Sequence, residues 1–187
     1  MTDLTIKNEM IDTLASMKGK ILKTIEGRYD FVNKTFLEII RFNFSQFAVE
    51  IISDYDTVIW SIGSDCAFQD EVTRFTVLKR NSSEKRIYPE GCEAVRLIKN
   101  EIISEVMIVR DGITTEKGDD VLIDSGIVLK TKQKVYTFSR VDLSGMWFHM
   151  NESDRIEMYY TVKDIKKDCL DNAEGNRVVV KRDYVFL

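Results

Sequence analysis

The sequence is poor in the residues on which much protein chemistry depends. Of its 187 residues one is proline, one is histidine and three are cysteine. A single proline, against the roughly 5% usual in proteins, excludes proline-rich linkers, collagen and polyproline tracts. One imidazole removes most histidine-based metal sites and acid–base pairs. Cys66, Cys92 and Cys169 are widely separated, with no Cys-x-x-Cys spacing, so neither a zinc knuckle nor a disulfide framework is expected. An odd, unspaced set of thiols fits a reducing, cytoplasmic setting. No apolar run approaches the ~20 residues needed to span a bilayer. The stretch from Met1 to Lys20 carries Asp3, Glu9 and Asp12 and has no signal-peptide core, so no membrane partner is expected. An all-over basic footprint for nucleic acid is also missing, because 27 Lys+Arg face 31 Asp+Glu for a net charge of −4. A partner that is itself basic fits better.

The glycine-based phosphate cradles GxGxxG and GxxxxGK[ST] are absent, as is the GxSxG hydrolase elbow. What the chain does have is strand texture. Ile6, Met10, Leu14 and Met17 fall at i, i+4, i+8 and i+11, one stripe of a helix, and Gly19 stands where a left-handed cap is expected. From Lys20 onward β-branched and aromatic runs take over: 20–26, 36–44, 47–53 and, after a turn at Asp54-Tyr55-Asp56, 57–62. In an extended 36–44, Phe36, Ile40, Phe42 and Phe44 share a face, with Glu38 the exception. Further strands are expected over 74–79, over the alternating Ile156, Met158, Tyr160 and Val162, and over 177–187. The last is apolar enough to be docked, so that its removal would expose core. Asn81–Arg86, Asp111–Asp120 and Asp171–Asn176 read as loops or turns.

Lys18–Ile25 aligns with Lys99–Val106, and upstream Leu14 and Met17 match Val95 and Ile98. Val49–Asp56 aligns with Val135–Asp142 after a shift that an insertion around Asp111–Asp120 would absorb. The expected fold is therefore α+β and β-rich: antiparallel meanders with a few short helices, read as an internal duplication. The units would be 1–90 and 91–187, joined at Tyr88-Pro89-Glu90-Gly91, as one compact domain or two.

Candidate chemistry is sparse. His149, flanked by Trp147, Phe148 and Met150, reads as a structural side chain, since neither an orienting group nor a nucleophile is marked beside it. Asp54 and Asp56 lie on one side of an extended segment, a spacing a hard cation such as Mg²⁺ can use, and a solvated turn explains them as well. Glu116, Asp119 and Asp120 lack the spacing of an EF-hand loop. Arg74-Phe75, Lys79-Arg80 and Lys85-Arg86-Ile87-Tyr88 mix cations with aromatics in the manner of single-strand binders, but Glu71 and Glu84 dilute them. Catalytic, metal and cofactor sites are therefore expected to be none. The positive signal is aromatic residues near acids. Asp54, Tyr55, Asp56, Trp60, Asp142, Trp147, Glu152 and Asp154 are the candidate binding residues, an acidic, aromatic surface suited to a cationic protein.

The segments GKILKTIEG, LEIIRFNF and AVEIISDYDTVIW resemble small acidic bacterial proteins of the toxin-immunity type over roughly residues 18 to 60, and more faintly over 99 to 147. The resemblance implies a non-catalytic cytoplasmic inhibitor that neutralises a partner toxin by binding it, and it transfers no individual site residue. The alternatives are a metal-assisted hydrolase or phosphodiesterase using Asp54 and Asp56, and a structural or assembly subunit of phage or bacterial origin.

Overall fold

A computed structural model describes residues 1–62, 66–86, 88, 94–116, 118–172 and 177–187, and for 60–62, 66–69 and 170–172 the backbone alone. A short strand, β1 (Thr2–Leu4), precedes helix α1 (Asn8–Ala15). Ile6, Leu14 and Met17 are buried and Met10 packs on the same cluster, so the helical stripe faces the core. Gly19 adopts a left-handed φ of 77°, a conformation that glycine takes without steric cost. Its N–H donates to the Ile103 carbonyl at 2.8 Å, which ties the end of the helix to the second half of the chain.

Strands β2 (Ile21–Asp30), β3 (Thr35–Asn43), β4 (Phe47–Ile62) and β5 (Cys66–Asn81) follow. Then come β6 (Val95–Ile102), β7 (Glu105–Thr115), β8 (Asp120–Lys130), β9 (Val135–Arg140) and β10 (Trp147–Ser153), with helix α2 (Val162–Asn172) and β11 (Val178–Phe186) at the end. The strands form one mostly antiparallel sheet with the path β11-β7-β8-β9-β10-β3-β2-β6. The β4–β5 hairpin branches from β3, and β1 adds to β8 in parallel.

The branch point is Glu38. Its φ is +63°, and its N–H donates to the Met146 carbonyl at 2.9 Å. Residues 35–37 pair with β10, and residues 39–43 pair with β4. A left-handed residue bends the strand as a bulge does, so one edge of β3 serves two neighbours. It also explains why Glu38 alone interrupts the alternation, while Phe36, Ile40, Phe42 and Phe44 stay buried in the main core. Gly27 occupies the register shift between Glu26 and Arg28. A Cβ there would stand 2.7 Å from both the Ile39 carbonyl oxygen and the Phe36 ring.

β6, at one end of the path, passes directly into β7, one strand from the other end. The Ile103 N–H donates to the Lys20 carbonyl (3.0 Å), prolonging the ladder with β2, and the Ser104 N–H donates to the Lys130 carbonyl (2.7 Å), beginning the one with β8. The sheet thereby curls around a core drawn from α1 and from eight strands of both halves. A second cluster, including Val58, Val72, Leu143, Tyr160, Ile165 and Cys169, lies beneath α2. On the outer face of β7–β9, Ile156 and Met158 cover Met107, Val109, Val128 and Val135.

Several expectations are corrected. Asp54-Tyr55-Asp56 is not a turn: β4 runs straight through it opposite Val72–Arg74, and Arg74 holds Asp56 at 2.9 Å. Nor is Asp111–Asp120 a loop, since Asp111–Thr115 belongs to β7 and Asp120 opens β8. Asp111 is fully buried there because Arg182 of β11 donates to both its oxygens, at 2.8 and 2.7 Å. Ile156, Met158 and Tyr160 are partly or fully buried as the alternation implies, but they lie in no strand. The residues that follow form α2, where a helix was not expected. Asp171 and Asn172 belong to α2 rather than to a turn, while 173–176 and Pro89 lie outside the described residues. The residues aligned with α1, Val95 and Ile98, form strand β6, so the helix of the first half is not repeated at that position. Ladders β2–β6, β3–β10 and β1–β8 all cross the expected unit boundary.

Candidate functional site

The longest hairpin carries the first group of candidate residues. β4 and β5, 16 residues each, stay in one register from Phe47↔Asn81 to Ile62↔Cys66. Only Ala48–Ile52 of β4 also pairs with β3, so the hairpin continues past the sheet as an arm. At its base Val49, Ile51, Phe75 and Val77 point into the main core. Farther out the same face of β4 carries Tyr55, 49% exposed, and Ile59, 62% exposed. The opposite face holds Val58 and Val72, buried beneath α2, together with Asp54 and Asp56. Trp60 falls in β4 opposite Phe68, and its side chain lies outside the described residues.

The arm is pinned by an arginine that sequence reading did not single out. Arg140, at the end of β9, is completely buried. It donates to the Thr73 hydroxyl (3.2 Å), to the Thr73 carbonyl (2.8 Å), to the Asp124 carbonyl (2.9 Å) and to the Leu143 carbonyl (3.2 Å), and it lies over the Phe75 ring at 5.0 Å. Its partners are mainly carbonyl oxygens rather than a carboxylate. Burial pushes the guanidinium down to about 10, which leaves it charged at neutral pH. The Thr73 N–H also donates to the Leu143 carbonyl at 2.9 Å. One side chain therefore joins β5, β8 and the 141–146 turn at the root of the arm. A charged donor bonded to several carbonyls is among the stronger hydrogen-bonded arrangements in a protein interior.

The remaining candidates lie elsewhere. Asp142 accepts the Gly145 N–H and closes the turn before β10. Trp147, at the start of β10, lines a cavity of 440 Å³ with Asp30, Asn33 and Tyr159. Glu152 is held by Lys99 at 2.6 Å and Lys134 at 3.7 Å, and Asp154 is exposed just beyond β10. Five residues of extended chain separate Trp147 from Glu152 by about 17 Å. The eight residues are thus divided among the arm, the turn and the two ends of β10.

Two chemical readings can be tested against this geometry. One Asp56 oxygen accepts from the Arg74 guanidinium and the other from the Thr57 N–H, and among the described residues no group of three His, Cys, Asp or Glu side chains is placed to hold an ion. The His149 ring stacks on Tyr159 with centroids 4.3 Å apart, and burial lowers its pKa below the ordinary value. Cys169 lies in the cluster under α2, where burial pushes its thiol up to about 12.

A second site was only partly legible. A cavity of 610 Å³ is lined by Lys23 of β2, Arg41 of β3, Lys85, Arg86 and Tyr88 of the segment after β5, and Arg96 of β6, among others. Beside it Glu50, 1% exposed, accepts from Arg41 (2.9 Å), Arg80 (3.2 Å) and Arg86 (2.9 Å). The local run Lys85-Arg86-Ile87-Tyr88 stood out in the sequence. Lys23, Arg41 and Arg96 did not, because cross-strand pairing alone brings them there. No described helix is long and apolar enough to cross a membrane. No family model, curated protein or solved structure matches the chain.

Proposed function

We propose that the chain is a non-catalytic protein-binding inhibitor of the bacterial toxin-immunity kind, and that it docks a cationic partner domain through the outer part of the β4–β5 arm. The observation that carries this reading is the run of one strand face from core to solvent, ending in exposed Tyr55 and Ile59. A tyrosine and an isoleucine on a rigid hairpin supply apolar area whose burial costs little side-chain freedom. Beside them on the same face is Glu71, and the opposite face carries Asp54, Asp56 and Asp70 against Arg74, a net charge of −3 for these five residues. Such a field steers a basic partner and selects against acidic ones. Contact of this kind needs no reacting group, which accords with a chain whose single imidazole is stacked against Tyr159.

The test uses the product of a toxin-like reading frame beside the gene. Mixed with the purified chain, it forms a 1:1 complex by light scattering. Tyr55→Ala with Ile59→Ala weakens that complex by about 30-fold, or about 2 kcal/mol, and leaves the melting temperature unchanged. A complex indifferent to both substitutions contradicts the reading. So does concentration-dependent self-association with no heterologous partner, which would favour an assembly subunit.

A further inference from the structure

We propose that the cavity beside Glu50 is a binding site for a small organic phosphate, a site independent of the β4–β5 arm. The cavity is positively charged. Lys23, Arg41, Lys85, Arg86 and Arg96 line the cavity with Glu26 and Glu84. Arg80 and Glu50 stand directly behind it. Six cations against three carboxylates leave a local charge of +3, in a chain whose total is −4.

The fold does not need all of these cations. Glu50 is buried and requires a counter-charge, and Arg41 provides it at 2.9 Å. Arg41 is itself fully engaged, donating also to the Asn43 side chain (2.9 Å) and the Glu84 carbonyl (2.6 Å). Yet Arg80 and Arg86 converge on the second Glu50 oxygen, at 3.2 and 2.9 Å. Three guanidinium groups around one carboxylate leave an excess of positive charge that an anion would balance. Arg86 commits one nitrogen to Glu50, which leaves its other donors for a ligand. Among the described residues neither Lys23 nor Lys85 has an ion-pair partner.

The cavity wall also carries an unused donor. The Tyr88 hydroxyl is buried at the cavity wall and has no hydrogen-bond partner among the described residues. Buried polar groups are seldom left this way, and a ligand is one of the usual reasons. A tetrahedral phosphate dianion accepts from a guanidinium fork, from ammonium groups and from a phenol at once. The volume of 610 Å³ lies within the roughly 300–1,000 Å³ of small-molecule sites. Phe44 and the Tyr88 ring form apolar wall for the organic part of such a ligand. Glu26 and Glu84 in the lining disfavour an extended polyanion such as single-stranded nucleic acid.

Calorimetric titration at low ionic strength tests this with adenosine 5′-monophosphate, inorganic phosphate, adenosine and a 12-nucleotide single strand. The full chain is expected to bind the monophosphate saturably at 1:1, and adenosine at least about tenfold more weakly, since one or two charge-assisted bonds are lost. Inorganic phosphate competes. The double variant Lys23→Ala/Lys85→Ala, whose side chains are exposed, keeps its melting temperature and loses about tenfold in affinity. Tyr88→Phe reports the phenol separately. The proposal is overturned if neither monophosphate nor phosphate binds, if adenosine binds as well as its phosphate, if the double variant binds like the parent, or if only the oligonucleotide binds.

Discussion

Arg140 and Glu50 are both buried charges, and they are satisfied in opposite ways. Arg140 is bonded to three main-chain carbonyls and one hydroxyl, so its charge is spread over dipoles and serves to fix geometry. Glu50 is surrounded by three arginines, so charge is left over, and that excess is what makes the neighbouring cavity a candidate site. Neither role is visible in sequence, because the partners are far away in the chain. His149 is the residue whose behaviour can be followed by pH. Burial, with a smaller contribution from Lys34, holds its folded pKa below the ordinary 6.5. The folded protein therefore takes up this proton less readily than the unfolded chain does. The corresponding stability is intact above about pH 6.5 and is lost as pH falls from there through the lower folded value. Equilibrium urea unfolding between pH 8 and 5 should show that decline, and His149→Phe, which keeps a ring against Tyr159, should flatten it. An unchanged pH profile in the variant would show that another group is responsible.

At the scale of elements, what was legible was local. The stripe of α1 and its Gly19 exit are written within fourteen consecutive residues, Ile6 to Gly19, and so is the alternation of β3. Helix α2 also had a local signal that was passed over. The Thr161 N–H and hydroxyl donate to Asp164 at 2.9 and 2.6 Å, and the Asp164 N–H returns to the Thr161 oxygen at 3.3 Å, a capping box. The preceding alternation of Ile156, Met158 and Tyr160 obscured it, since a chain lying over a sheet can bury every second residue without joining a ladder. Asp54-Tyr55-Asp56 was misread for a different reason. Acids are common in turns, but here Arg74 on the partner strand keeps Asp56 within the strand. Strand β11 bears out the expectation of a docked terminus. It pairs with β7 over nine residues, and Val185 and Leu187 pack on the main core while Val180 packs on the second. Deleting 178–187 also strands buried Asp111 without Arg182, a loss of about 3–5 kcal/mol from the ion pair alone. The shortened chain is expected to lose its cooperative thermal transition in calorimetry, and a transition within a few degrees of the parent's would contradict the packing described.

For the whole molecule, ladders β2–β6, β3–β10 and β1–β8 join residues on both sides of the expected unit boundary. β-rich antiparallel texture was legible, because periodicity and composition are local properties. The connectivity was not, because Glu38 splits one edge of β3 between two neighbours, and the chain passes from β6, at one end of the sheet, to β7, near the other. This topology produces both candidate sites. The split edge lets β4–β5 leave the sheet as an arm, and the β2–β6 ladder sets Arg96 opposite Glu26 in the wall of the cavity that Lys23 also lines. The sequence reading placed Asp54, Tyr55 and Asp56 on the arm's segment but could not separate them from Asp142, Trp147, Glu152 and Asp154, which the fold carries elsewhere. The central claim, that the arm is the docking element, is tested most directly by amide hydrogen exchange of the chain alone and in its 1:1 complex with the cationic partner. The account predicts added protection at 53–59 and 70–74, with β11 and the far end of β10 unchanged. Protection confined to β10, β11 or the cavity segment at 82–88, with the arm exchanging as in the free chain, would contradict it.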